Sequence, residues 1–277
     1  MLYRSVKINC RKNIFCMITV LCIVMVLCLC LVTEVWSNSD NGEGCSVLSI
    51  LFLADFRQFC LDNNISAQSV IRAGVSDWLV MFSPVICTLS FVRNACESTS
   101  LRRFEYIRNG KLAGEISVFI SGMLCGGVVM LSGYGLFLCF ATIVFPSSSE
   151  FSREVSNMLM HGQTMTAFYF SRLVGSFFMG AFSIIPAYII SLFSRNKFLI
   201  VCLPFMICHL YTSVLNKIAG VSSKAIRPYI RAFLPDGIFS SFENNLVWLS
   251  IVVSFILVVF AGIVGIISVK RRNDCCE

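Results

Sequence analysis

The chain has 277 residues, of which 57% are hydrophobic and only 13% charged, with a net charge of +7. A soluble domain carries about 25% charged residues; with a mean hydropathy of +0.81, most of this chain has to lie in lipid, where only helices or closed barrels satisfy the backbone. The basic residues gather at the ends of apolar runs, so the charge reads as the orientation signal of a membrane protein and not as a nucleic-acid surface.

The chain opens on Arg4, Lys7, Arg11 and Lys12, followed by a run without charge from Asn13 to Thr33. The first membrane span is read at 14–35. A secretory signal peptide has an apolar stretch of about 7–15 residues and a small-x-small cleavage site. This run is longer, and its exit, LVTEVWSNS, offers no such site. It reads as a retained helix.

The segment 37–75 begins polar, as SNSDNGEGC, and then turns apolar. Val47, Ile50, Leu51, Phe52, Phe56 and Phe59 recur at roughly helical spacing. They predict a helix on the outer membrane surface; packing of the stripe on the bundle is the other reading. Asn64-Ile65-Ser66 is a glycosylation sequon. Cys45 and Cys60 share this outer segment, so a disulfide between them requires only an oxidising compartment.

The second span is read at 76–92, and a cytoplasmic segment, 93–112, follows it. The third span, 115–144, holds Gly122, Gly126, Gly127, Gly133 and Gly135. Glycine permits close helix packing or a break. As one helix this span keeps the topology; as two short helices it reverses everything downstream. The fourth span is read at 167–193, the fifth at 198–215 and the sixth at 246–269. Between the last two lies an outer or re-entrant segment, 216–245. The apolar runs are continuous and not alternating, which favours helices over a barrel. The expected fold class is therefore all-α, a polytopic bundle of about six transmembrane helices in a single transmembrane domain.

Lys and Arg are unevenly shared between the two sides. Residues 1–13, 93–112, 194–197 and the tail together carry twice as many as the other loops. That bias places both termini in the cytoplasm of a multi-pass cell-membrane protein. Arg172 is set apart, inside the fourth span, and His209 lies in the fifth. Arg172 reads either as a cation snorkelling from the outer end or as one facing a translocation path; His209 reads as a buried structural group or as part of that path. Glu115 and Asp77 open their spans at shallow, solvated depth. Pro84, Pro186 and Pro204 fall within spans and can kink them.

No phosphate loop of the G-x-x-x-x-G-K-[ST] type occurs, nor H-E-x-x-H, nor G-x-S-x-G. With two histidines and no C-x-x-C pair among fifteen cysteines, a multi-histidine metal site is excluded and a zinc site is not supported. No catalytic, cofactor-binding or metal-binding residues are assigned, and no cofactor is expected. Most cysteines lie in apolar runs, where they act as small apolar side chains.

The segment 93–112, RNACESTSLRRFEYIRNGKL, is the most specific stretch. Phe104 and Ile107 share a helical face, flanked by Arg102, Arg103, Arg108 and Lys111. A simple anchor to lipid headgroups explains the charge. It does not explain the aromatic residues among the basic ones. Here the chain resembles the permease subunit of an ABC transporter of the type-2, exporter-type superfamily. The similarity lies in the layout of nearly the whole chain and in SLRRFEYIRNGKLAGE (100–115). It implies that Arg102, Arg103, Phe104, Tyr106, Arg108 and Lys111 dock on a separate ATP-binding cassette subunit. It also implies a second permease chain, as homodimer or heterodimer, and a re-entrant region at 216–245. The alternative function on the same spans is a non-transport membrane protein, such as an assembly, immunity or sensor component.

Overall fold

A computed structural model describes residues 2–14, 16–36, 44–95, 110–151, 164–194, 196–223, 225–231, 233–234, 252, 255–256, 258–265 and 267. The fold is a helical bundle, and three of its helices are long and apolar enough to cross a membrane. A fourth crossing arises if two consecutive helices meeting at 61° count as one span.

Helix α1 (Leu2–Ile14) and helix α2 (Met17–Val32) are separate. Cys16, in extended backbone, starts the second. Every third or fourth residue of α2, namely Thr19, Cys22, Val26 and Cys30, is buried, while Met17, Val20, Leu21 and Val24 are exposed. This is one-sided packing of a helix that is apolar all round. Its 16 residues rise about 24 Å, short of a hydrocarbon core of about 30 Å. Helix α2 lies within the expected first span, 14–35, and the basic stretch ahead of it folds as its own helix.

Strands β1 (Glu34–Trp36) and β2 (Gly44–Ser46) pair antiparallel, with Val35 opposite Cys45. Helices α3 (Val47–Leu51), α4 (Phe56–Asp62) and α5 (Ala67–Ala73) follow. The apolar stripe packs on the bundle: Val47 and Ile50 are buried in the core, and only Phe52, 84% exposed, stands clear. Ser66 caps α5 in a reciprocal box with Ser69. The sequon's serine is therefore buried and engaged. Cys45 and Cys60 are free thiols.

Helix α6 (Asp77–Ala95) runs through Pro84. Helix α7 (Lys111–Val144) is a single helix of 34 residues, about 51 Å long. The five glycines do not break it. Four of them, Gly122, Gly126, Gly127 and Gly133, let neighbours approach closely: α7 packs along α8 (Met165–Phe193) and also against α1, α2, α5 and α6. Gly126 faces Gly180 across the α7–α8 contact, where a Cβ on Gly126 would lie 2.6 Å from the Gly180 carbonyl oxygen.

Helix α9 (Lys197–Val221) packs on α6 and α8. It leaves Leu203, Met206, Leu210 and Val214 exposed, an apolar surface suited to lipid. It continues past the expected end of the fifth span at 215, so residues 216–221 are helix and not loop. A short helix α10 (Arg227–Arg231) follows, and residues 232 and 235–251 lie outside the described residues. The sixth predicted span is described only in part; there Ala261 is buried in the core and Gly265 sits against the Tyr188 hydroxyl.

Candidate functional site

The bundle interior holds two polar assemblies, at opposite ends of α7. The first joins α5, α7, the turn after α7 and the start of α8. Arg172, the eighth residue of α8, lies about 10 Å along that helix from Met165 and is only 4% exposed. Its guanidinium sits 5.3 Å from the centre of the Phe168 ring, and that of Arg72 sits 5.8 Å from the same ring. One turn separates Phe168 from Arg172, so helical geometry brings that pair together. Arg72 arrives from α5, where the Ser66 cap fixes the helix start.

The node around them is hydrogen-bonded. The Tyr134 hydroxyl donates to the Ile71 carbonyl at 2.6 Å, which ties α7 to α5 beside Arg72. Gln68 is 1% exposed. Its amide nitrogen donates to the Tyr169 hydroxyl at 3.2 Å, and its oxygen accepts from Ser148 N at 2.9 Å. The Ala67 amide donates to the Pro146 carbonyl at 2.8 Å. A cation against an aromatic face gains about 0.5–2 kcal/mol, a useful part of what an arginine in a membrane loses. The described side chains of this node supply positive charge and hydrogen-bond donors.

The second assembly joins α1 to the opposite end of α7. Asn9 donates from Nδ2 to Ser117 Oγ at 3.0 Å, and Ser117 Oγ donates to Ser5 Oγ at 3.0 Å. Thr19 Oγ1 donates to the Asn13 carbonyl. Ser5, Asn9, Asn13, Glu115 and Ser117 are all buried. Glu115, expected at a solvated edge, is 5% exposed.

The two residues predicted for a translocation path are not brought together. Arg172 is in the node that joins α5, α7 and the start of α8. His209, expected to be buried, lies on the exposed side of α9, its ring stacked on Phe205 with centroids 6.3 Å apart. The helix turns Ile200 and Pro204 inward instead. Arg102, Arg103, Phe104, Tyr106 and Arg108 lie outside the described residues, as do Cys275 and Cys276; Lys111 is the first residue of α7, and its side chain and that of Asp77 are likewise outside the description. Arg72, Gln68 and Tyr134 were not singled out in the sequence. The signal that could have found Arg72 is the capped helix around it, S-A-Q-S-V-I-R-A, whose apolar residues Val70 and Ile71 are buried.

Among the described residues no group of His, Cys, Asp or Glu could hold a metal ion. No family model matches the chain, and neither a curated protein nor a solved structure does.

Proposed function

We propose that this chain is the membrane-spanning permease subunit of an ATP-driven transporter. In this reading six spans cross the membrane, both termini are cytoplasmic, and a separate ATP-binding cassette subunit docks on the segment before α7. Two permease chains, alike or different, form the complete pathway. The observation that carries the reading is the unbroken α7. A permease of this layout needs the glycine-rich run to cross once, so that the docking segment and both termini share one side; a helix of 34 residues without interruption supports that.

The remaining features support the mechanics. Closing of the ATP-binding subunits pushes on 93–112, and that segment leads directly into α7. The long helix packs on five neighbours, so a displacement at its start reaches the whole bundle. The outer node of Arg72 and Arg172 gives the far end a cationic character.

Purification of the full chain from its native membrane in mild detergent tests the reading. An ATP-binding cassette subunit is expected to copurify. Replacing Arg102, Arg103 and Arg108 by Ala is expected to uncouple its ATP hydrolysis from transport while the bundle still elutes as a folded species. Absence of any ATPase from the wild-type preparation, or normal coupling in the triple variant, overturns it.

A further inference from the structure

We infer that α1 is a binding surface for anionic lipid headgroups, held rigidly against the start of α7. The inference rests on membrane placement and not on the transport reading. Its basis is the unusual division of α1 between its two sides.

The side of α1 turned into the protein is polar. Ser5, Asn9 and Asn13 recur every four residues, and each is at most 4% exposed. Asn9 and Ser5 meet Ser117 of α7 through the hydrogen bonds described above. The opposite side carries Tyr3 at 80% exposure and Ile8 at 44%, together with exposed Lys7 and Arg11. Basic, aromatic and aliphatic residues on one exposed helical face are the composition of a helix lying in the headgroup region. Arg4 and Lys12 belong to the same helix and add to its charge.

The position in the chain fits this occupant. After Ile14 the chain passes Cys16 and enters α2, which is apolar all round and belongs in hydrocarbon. A helix two residues from that boundary lies at the membrane surface. No acidic residue occurs in α1, so the face is attractive to a negative surface over its whole length. The polar inner seam fixes which side faces out. A helix tethered by its apolar side would have to choose between the bundle and the lipid; this one uses different residues for each.

The partner is therefore an anionic phospholipid surface. A neutral bilayer would satisfy Tyr3 and Ile8 but not Lys7 and Arg11. Each basic residue at an anionic surface contributes about fivefold in binding.

The test uses the full chain in neutral detergent, titrated with phosphatidylglycerol or phosphatidylcholine. Retained lipid is counted by native mass spectrometry, and hydrogen exchange is followed over residues 2–14. Phosphatidylglycerol is expected to bind preferentially and to slow exchange in α1. The double variant Lys7→Gln, Arg11→Gln, which leaves the inner seam intact, is expected to weaken that binding by about 25-fold without changing phosphatidylcholine retention. Lys197→Gln, an exposed cation at the start of α9, is the control and is expected to leave the slowing of exchange in α1 unchanged. Equal retention of the two lipids by the wild type overturns the inference. So does undiminished phosphatidylglycerol binding, or unchanged slowing in α1, in the double variant. An ATPase that fails to copurify would sink the transport reading and leave this result untouched.

Discussion

The crossing of α7 and α8 brings backbone against backbone at Gly126 and Gly180, and it can be tested by adding one methyl group. A Cβ on Gly126 would lie 2.6 Å from the Gly180 carbonyl oxygen and 2.8 Å from Ile184 Cγ1. The first of these is backbone, so no rotamer change relieves it. The two helices have to separate by several tenths of an ångström, and every contact along the interface loosens with them. Overpacking of this kind costs about 1–3 kcal/mol. Against it stands the gain from replacing glycine by alanine inside a helix, about 0.5–1 kcal/mol. The clash wins, and Gly126→Ala is expected to destabilise the protein by about 1–2 kcal/mol.

Gly135 is the internal control. It belongs to the same helix, but a Cβ there meets only Leu173 Cδ2, at 3.6 Å, an ordinary contact. Only the propensity gain remains, so Gly135→Ala is expected to be neutral or stabilising by up to about 1 kcal/mol. Thermal melting of both variants in the same detergent, read by loss of the monodisperse peak, measures the difference. A Gly126→Ala protein as stable as Gly135→Ala would refute the claim that this crossing sets the spacing of the bundle.

Two further outcomes concern the residues between α2 and α6 and their contact with the turn after α7. Burial pushes the Cys60 thiol up to about 11, whereas Cys45 is only half-buried, so at neutral pH a maleimide should label Cys45 well before Cys60, read by peptide mapping; equal rates would mean that α4 does not pack as described. The exposed Arg57–Glu150 pair, 3.0 Å apart, holds the Glu150 carboxyl below its ordinary range, through the Arg57 hydrogen bond first and the Ser147 amide next. A lowered folded-state pKa stabilises above the unfolded value, and that gain is lost as pH falls through the folded value. The melting temperature of Glu150→Gln should therefore lie slightly below wild type at neutral pH and converge with it in acid; a gap that widens in acid would reverse the assignment.

The long apolar helices were legible because their signal is composition summed over many residues. The ends of α8, Met165 and Phe193, lie within a few residues of the expected 167–193. The break between α1 and α2 was not legible: continuous apolarity hides it, and nothing in N-I-F-C-M-I announces that the two helices part there. The surface stripe of 47–59 was ambiguous in sequence because lipid and a protein core ask for the same side chains. Only tertiary contact decides, and it put Val47 and Ile50 inside.

The polar assemblies were the least legible, and for a shared reason. In water, burial sorts side chains by polarity, so periodicity reveals the core. In a membrane protein the lipid side is as apolar as the core, and the inward face can be the more polar one. Serines and asparagines at four-residue spacing, as in α1, then mark the inside, while the apolar residues mark the surface. Arg172 and His209 illustrate the point from both directions. Each is a polar residue in an apolar run, and the sequence gives them the same weight. Arg172 is drawn inward because Phe168 one turn earlier, Arg72 on α5 and the hydrogen-bonded shell of Tyr134 and Gln68 converge there. His209 has Phe205 one turn earlier too, yet it lies on the exposed side of α9, so the same local pattern does not by itself draw a polar residue inward.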